Sequence, residues 1–251
     1  MRRLDPIELP ERRAATAVSP WAWATSLALV LTGCVPEGPP TPPYVPDSAA
    51  TETSSDMLVT PFFDDFNRSA IGSDYEVRSS AWHIENGRLC GEGAKNQPVW
   101  LKKRIPVNAR IEVDAIALSP EGDLKVEAWG DGKSGASGTT YSDATSYIAI
   151  FGGWKNKLHV LARLDEHGDD RLSLAIVPGS DDERARPVEP GQPYHFVIER
   201  KNGTTVRFTV NGLDYFAFAD PAPLTGVGHD HVGFNDWSAP VCFDNFSVSP
   251  L

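Results

Sequence analysis

Residues 199–208 read "ERKNGTTVRF". Asn202-Gly203 stands between two runs that alternate polar and apolar side chains, "YHFVIERK" (Tyr194–Lys201) and "TVRFTV" (Thr205–Val210). Asn-Gly accepts the positive φ angles of a tight hairpin turn, and it is the strongest short-range hairpin signal. A period of two sends alternate side chains to opposite faces of a sheet. The stretch therefore predicts an antiparallel hairpin with one face in a core. Outward from it, "SYIAIFGGW", "KLHVLARL", "RLSLAIV" and "CFDNFSV" repeat the pattern, with turn signals about every ten residues. "SPEGD" (Ser119–Asp123) predicts another hairpin, joining strands Arg110–Leu118 and Leu124–Trp129. From Phe62 onward no segment keeps an apolar period of 3.6 residues. Many short strands without helices predict an all-β chain folded as an antiparallel β-sandwich.

The 251-residue chain has 34 acidic against 23 basic side chains, a formal charge of −11. That balance argues against nucleic acid as a partner, which needs clustered Lys and Arg. The N-terminal segment reads as an address. Arg2, Arg3, Arg12 and Arg13 precede a mostly apolar stretch from Trp21 to Leu31. This is the layout of an export signal and is shorter than the roughly 18–20 apolar residues that span a bilayer. The stretch ends in Leu31-Thr32-Gly33-Cys34, which resembles the lipobox of bacterial lipoproteins. The resemblance implies lipidation of Cys34, with the lipid as the link to a membrane; an ordinary signal or an uncleaved anchor are the alternatives. Residues 35–60 are rich in Pro, Ser, Thr and acids and read as a disordered tether. The expected organisation is a signal over 1–33, lipidated Cys34 and tether over 34–60, and a folded domain over 61–251. The expected location is the bacterial cell envelope, at the outer membrane.

Five motifs carry a second resemblance: "FFDDFNR" (Phe62–Arg68), "WHIENGRL" (Trp82–Leu89), "FTVNGLDYFAFAD" (Phe208–Asp220), "HVGFNDW" (His231–Trp237) and "VCFDNFSVSPL" (Val241–Leu251). In order and spacing they resemble the concanavalin A-like lectin/glucanase superfamily, in its broad laminin-G-like group. The resemblance implies a jelly-roll sandwich whose first strand lies beside its last. It also implies a glycan- or surface-binding module, a glycoside hydrolase, or an interaction domain, because the fold does not fix the function. In such a sandwich Cys90 and Cys242 come close enough to pair; two separate buried thiols are the alternative. Where first and last strands meet, Asp64 or Asp65 and Asp244 stand where many members bind a structural Ca²⁺. Hydrogen bonds to nearby backbone are the other reading of these carboxylates.

Catalysis has thinner support. Laminarin-cleaving members carry Glu-x-Asp-x-(x)-Glu on one strand, and both outer carboxylates act. "RIEVDAIAL" supplies Glu112 and Asp114 but has Ile116 and Ala117 where the second glutamate belongs. A non-catalytic module is the expectation, with a glycoside hydrolase as its alternative. No G-x-S-x-G elbow occurs. Two His on one loop, His229 and His231, make a weak metal site. "DEHGDD" (Asp165–Asp170) lacks the EF-hand order of ligands and reads as a solvated hairpin tip. If the Ser119–Asp123 turn is a tight hairpin, Glu112, Asp114, Lys125, Glu127 and Trp129 share one sheet face. Carboxylates beside an aromatic ring suit a polysaccharide or cell-surface glycan, and they also suit an ordinary charged sheet surface. Trp154 and Trp237, near turns, are further candidates for a binding rim or for plugs between the sheets.

Overall fold

The computed structural model of the protein describes residues 56–251. Cys34, the signal and residues 34–55 of the tether lie outside the described residues. Fifteen strands run in chain order: β1 Phe62–Asp64, β2 Tyr75–Val77, β3 His83–Glu85, β4 Arg88–Gly91, β5 Val99–Leu101, β6 Ala109–Ala117, β7 Leu124–Gly130 and β8 Tyr147–Gly152. There follow β9 Leu158–Arg163, β10 Arg171–Ala175, β11 Pro193–Arg200, β12 Thr205–Val210, β13 Leu213–Ala219, β14 His231–Asn235 and β15 Val241–Pro250.

The Asn202-Gly203 hairpin is β11–β12, paired antiparallel from Phe196↔Val210 to Arg200↔Val206. Its turn holds Gly203 at φ 76°, and Asn202 Oδ1 accepts hydrogen bonds from the Thr204 and Thr205 amides. The next turn, Asn211-Gly212, has φ 50° and 82°. Two consecutive positive φ angles are the signature of the primed turns that join antiparallel strands.

All strand pairings are antiparallel, and they form two sheets. One has the order β13-β12-β11-β6-β15-β4-β3, with β1 also on β15; the other has the order β10-β9-β8-β7-β14-β5-β2. The first strand lies on the last, Phe62↔Val248 to Asp64↔Phe246. The chain is thus a jelly-roll β-sandwich. Between the sheets runs one apolar core, in which Phe66, Phe234, Phe243 and Phe246 are fully buried. Their rings meet at centroid distances of 4.9 to 6.0 Å, and such aromatic pairs add about 0.5–1.5 kcal/mol each beyond their area burial.

Cys90 and Cys242 face each other across β4 and β15 and form a disulfide that closes a separation of 152 residues. In the chain-entropy account a loop of that length stabilises by roughly 5 kcal/mol. The folded domain begins by Asp56, before the expected boundary at residue 61: the Leu58 amide bonds Arg104 O and the Arg104 amide bonds Asp56 O.

Two expectations fail here. The Ser119–Asp123 turn does not close a hairpin. β6 pairs with β11 and β15, and β7 pairs with β8 and β14, so the turn carries the chain from one sheet to the other. Glu112 and Asp114 therefore never share a face with Glu127. Trp129 is not on a surface either. A register shift against His231/Val232 marks a bulge, and Trp129 sits there at φ 56°. The extra residue breaks the alternation and turns the indole into the core. It is fully buried, with the Arg200 guanidinium 4.1 Å from its ring centre and its Nε1 donating to Pro106 O at 3.1 Å.

Candidate functional site

The outer face of the seven-stranded sheet, the one turned away from the core, has a second apolar layer. Ile148 and Ile150 of β8 and Val160 and Ala162 of β9 alternate with core residues and pack with Tyr141 and Ala144. The cover is the segment 131–146, rich in Gly, Ser and Thr, which links β7 to β8. Trp100 pins its start. The ring lies over Gly130 and Gly233, where a Cβ would come within 2.4 and 2.7 Å of it, and its Nε1 donates to Ser134 O. Tyr141 pins its end, donating to both carboxylate oxygens of Glu127 at 2.9 and 3.0 Å.

Beside this cover lies a cavity of about 760 Å³, within the range of small-molecule sites. Trp154 and Trp237 both line it, with Thr139 and Thr140 of the covering segment and Leu158 and Ala239. Each Trp already has a cation near its ring, Arg171 at 5.4 Å from the Trp154 centroid and Lys95 at 4.6 Å from that of Trp237. Both are partly exposed, unlike the buried Trp82, Trp100 and Trp129.

Trp154 reaches the cavity through a strained backbone. Gly152 is at φ 77°, and Trp154, Lys155 and Asn156 follow at 53°, 60° and 59°. A left-handed turn of three non-glycine residues costs roughly 1–2 kcal/mol per residue. It is held by Asn156, whose Nδ2 donates to Val188 O and whose Oδ1 accepts from the Val188 amide, at 2.8 and 2.9 Å. Strain of this kind persists only where surrounding bonds over-determine it, and it gathers at functional sites.

The floor is polar and buried. Lys125 Nζ donates to Glu166 Oε2 at 2.9 Å and Asn96 Oδ1 at 3.0 Å, with Asp123 Oδ1 at 3.6 Å. Burial pulls this ammonium toward neutrality, yet Asp123, Glu166 and Asp236 outweigh it and hold the pKa above the ordinary lysine value. Burial pushes Glu127 up to about 7, against hydrogen bonds from Ser146, Tyr141 and Asn235. Burial likewise pushes Asp236 up to about 7, against its bond from the Ala94 amide. Asp123 Oδ2 accepts the Trp237 amide at 3.2 Å, so the floor also positions one of the two aromatic walls.

Of the residues named from sequence, the structure brings Trp154 and Trp237 to one cavity and puts Glu127 beneath the same face, wholly buried. Glu112 and Asp114 lie on the outer face of the other sheet. There Glu112 bonds Arg110 at 2.9 Å, and Asp114 meets His195 Nδ1 at 2.8 Å. The "DEHGDD" segment is a hairpin tip between β9 and β10, but Glu166 turns inward and is 5% exposed. Its partner Lys125, placed by the alternation on an exposed face, is the one cation in "LKVEAWG", a strand buried on both faces.

The three aspartates considered for Ca²⁺ have protein partners. Asp64 takes both nitrogens of the Arg68 fork at 2.6 and 2.7 Å and the Tyr75 hydroxyl at 2.7 Å. Asp65 accepts the Asn67 amide, and Asp244 lies 3.5 Å from Arg88. These residues fit an ion-paired strand junction better than a cage of oxygens. Among the described residues no group of three His, Cys, Asp or Glu side chains is placed to hold a metal ion.

By sequence the chain matches no family model and no curated protein. By structure it is similar to the carbohydrate-binding module CBM66 from Bacillus subtilis, at 12% identity over 72% of this chain and 98% of that one, with a TM-score of 0.50. It is also similar to the carbohydrate recognition domain of Emp47p, at 10% identity over 76% of this chain and 95% of that one, with a TM-score of 0.51. A sialidase aligns at 12% identity and TM-score 0.50 over 76% of this chain and 18% of its own. At these identities the shared property is the β-sandwich fold.

Proposed function

We propose that the protein binds glycans without cleaving them, in the cavity between Trp154 and Trp237. One observation carries the reading: two partly exposed Trp side chains line one cavity of about 760 Å³ on a sheet face. An indole offers a flat apolar surface to the C–H face of a sugar ring, while polar groups at the edge take its hydroxyls. The structural likeness to carbohydrate-binding domains supports this reading. The strained turn under Trp154 supports it too, since strain of this kind gathers at functional sites. Non-catalytic binding is favoured over hydrolysis because the buried carboxylates of the cavity, Asp123 and Glu166, are both engaged by Lys125. A retaining glycosidase needs two carboxylates free to act on the bond. From the Leu31–Cys34 motif we read the domain as carried by a lipid anchor at the cell envelope.

A glycan array probed with the full-length chain tests the proposal. Trp154→Ala and Trp237→Ala should each weaken binding by about 1–3 kcal/mol, the scale of a good anchor, with the melting temperature nearly unchanged. Binding that survives both substitutions would place the site elsewhere. Release of reducing sugar by the wild-type chain would establish an enzyme.

A further inference from the structure

The charges around the cavity are sorted by depth. Its buried carboxylates, Asp123 and Glu166, lie at the floor and share Lys125. Toward solvent the wall carries two lysines, Lys155 and Lys157, against one carboxylate, Glu121. Lys155 is 76% exposed and only 3.6 Å from Glu121, a surface pair of small worth. His167 lies against Glu166 at 3.2 Å. Among the described residues Lys157 forms no ion pair, so its exposed ammonium stands unpaired at the cavity wall. The left-handed turn sets this arrangement, because it fixes Trp154 and Lys155, with Lys157 directly after it. The Lys157 amide closes the turn on Gly153 O at 2.9 Å.

From this geometry we infer that the cavity takes acidic glycans, with a sugar ring against the indoles and its carboxylate or sulfate on the Lys157 ammonium. The inference rests on the glycan-binding reading and narrows it to sugars that carry a negative group. The chain as a whole is strongly acidic, with a charge of −11, so long-range attraction does not bring an anion here. Recognition must come from the short-range charge-assisted contact, which is about twice as strong as a neutral hydrogen bond.

The test uses the full-length chain against three sets of oligosaccharides of matched length: uronic acid-containing, sulfated and neutral. Acidic sugars should bind at least tenfold more tightly than neutral ones, and the two acidic sets separate carboxylate from sulfate as the anion. Lys157→Gln should reduce acidic binding by roughly tenfold, the scale of a lost charge-assisted contact. It should leave the melting temperature unchanged, and Lys157→Arg should restore most of the loss. Raising the salt concentration should erode the preference. Equal or tighter binding of neutral sugars, with Lys157→Gln silent, overturns the acidic specificity and leaves glycan binding intact. Binding to none of the three sets overturns both readings together.

Discussion

The two sheets bury their inner faces in the same way and use their outer faces differently. The outer face of the eight-stranded sheet holds Arg110, Glu112, Asp114, His195 and Glu199, paired with one another in partial contact with solvent. The seven-stranded sheet is covered again on its outer face by residues 131–146, and between cover and strands it traps Lys125, Glu127 and Glu166. The first arrangement is an ordinary charged surface, where each pair contributes little. The second keeps charges out of water, which is costly unless every partner is supplied. A fold gains nothing in its main core from that expense. It does gain a cavity with fixed walls on the covered face.

Trp129 belongs to neither outer face, because the bulge takes it out of the surface and puts it in the core. Trp129→Ala should cost about 3–5 kcal/mol of stability, as for other buried aromatic truncations. Part of that loss is the support of Arg200, whose guanidinium stacks on the ring. Denaturant unfolding measures it. A loss under 1 kcal/mol would mean the indole is not packed as described.

A second effect separates the faces by pH. Glu127 has an ordinary value near 4.5 and a folded-state value of about 7. Below about pH 4.5 both folded and unfolded chains hold its proton. Between about 4.5 and 7 only the folded chain does, so its contribution to stability falls as pH rises. Glu127→Gln cannot lose a proton. Relative to wild type, the variant should therefore gain stability from pH 5 to pH 7 and level off above. Asp236 has the same sign and is present in both proteins. Melting curves that stay parallel across this range would show Glu127 to be ionised in the fold.

Much of the architecture was legible because hairpin chemistry is local. Asn202-Gly203 and the alternating runs on either side pointed to β11 and β12, whereas the pairing of β1 with β15 was implied only by the family resemblance of the motifs at the two ends of the domain. Two errors came from the same rule applied one step too far. Alternation says which side chains share a face, but it does not say which sheet a strand joins. "SPEGD" is as good a turn for a crossing between sheets as for a hairpin. Nor does alternation survive a bulge, and "EAWGDG" gives no local sign that Trp129 takes a positive φ. The floor of the cavity was illegible for a different reason. Lys125 and Asp123, Glu166, and Asn96 come from three separate segments, and only tertiary packing brings them together. Trp154 and Trp237 were legible as candidates because an aromatic near a turn can form a binding rim, although the sequence left a plug between the sheets as the alternative.

The smallest expected effect falls on the charged face. Glu112→Gln with Asp114→Asn removes two carboxylates that are part-exposed and bonded to Arg110, His195 and Asn245. The Arg110 bond holds the Glu112 carboxyl below its ordinary value. Its contribution is thus present above that value and lost only as pH falls below it, the opposite sign to Glu127. At neutral pH the amides keep most of the hydrogen bonds and lose only screened Coulomb attraction. Surface changes of this kind stay within about 0.5 kcal/mol. The double variant should match wild type in melting temperature to within a few degrees and bind array ligands with unchanged affinity, because these residues lie on the sheet opposite the cavity. A clear fall in affinity with stability intact would move the binding face to the eight-stranded sheet. The cover over the other sheet would then be a device for stability alone, and the strained turn under Trp154 would need another explanation.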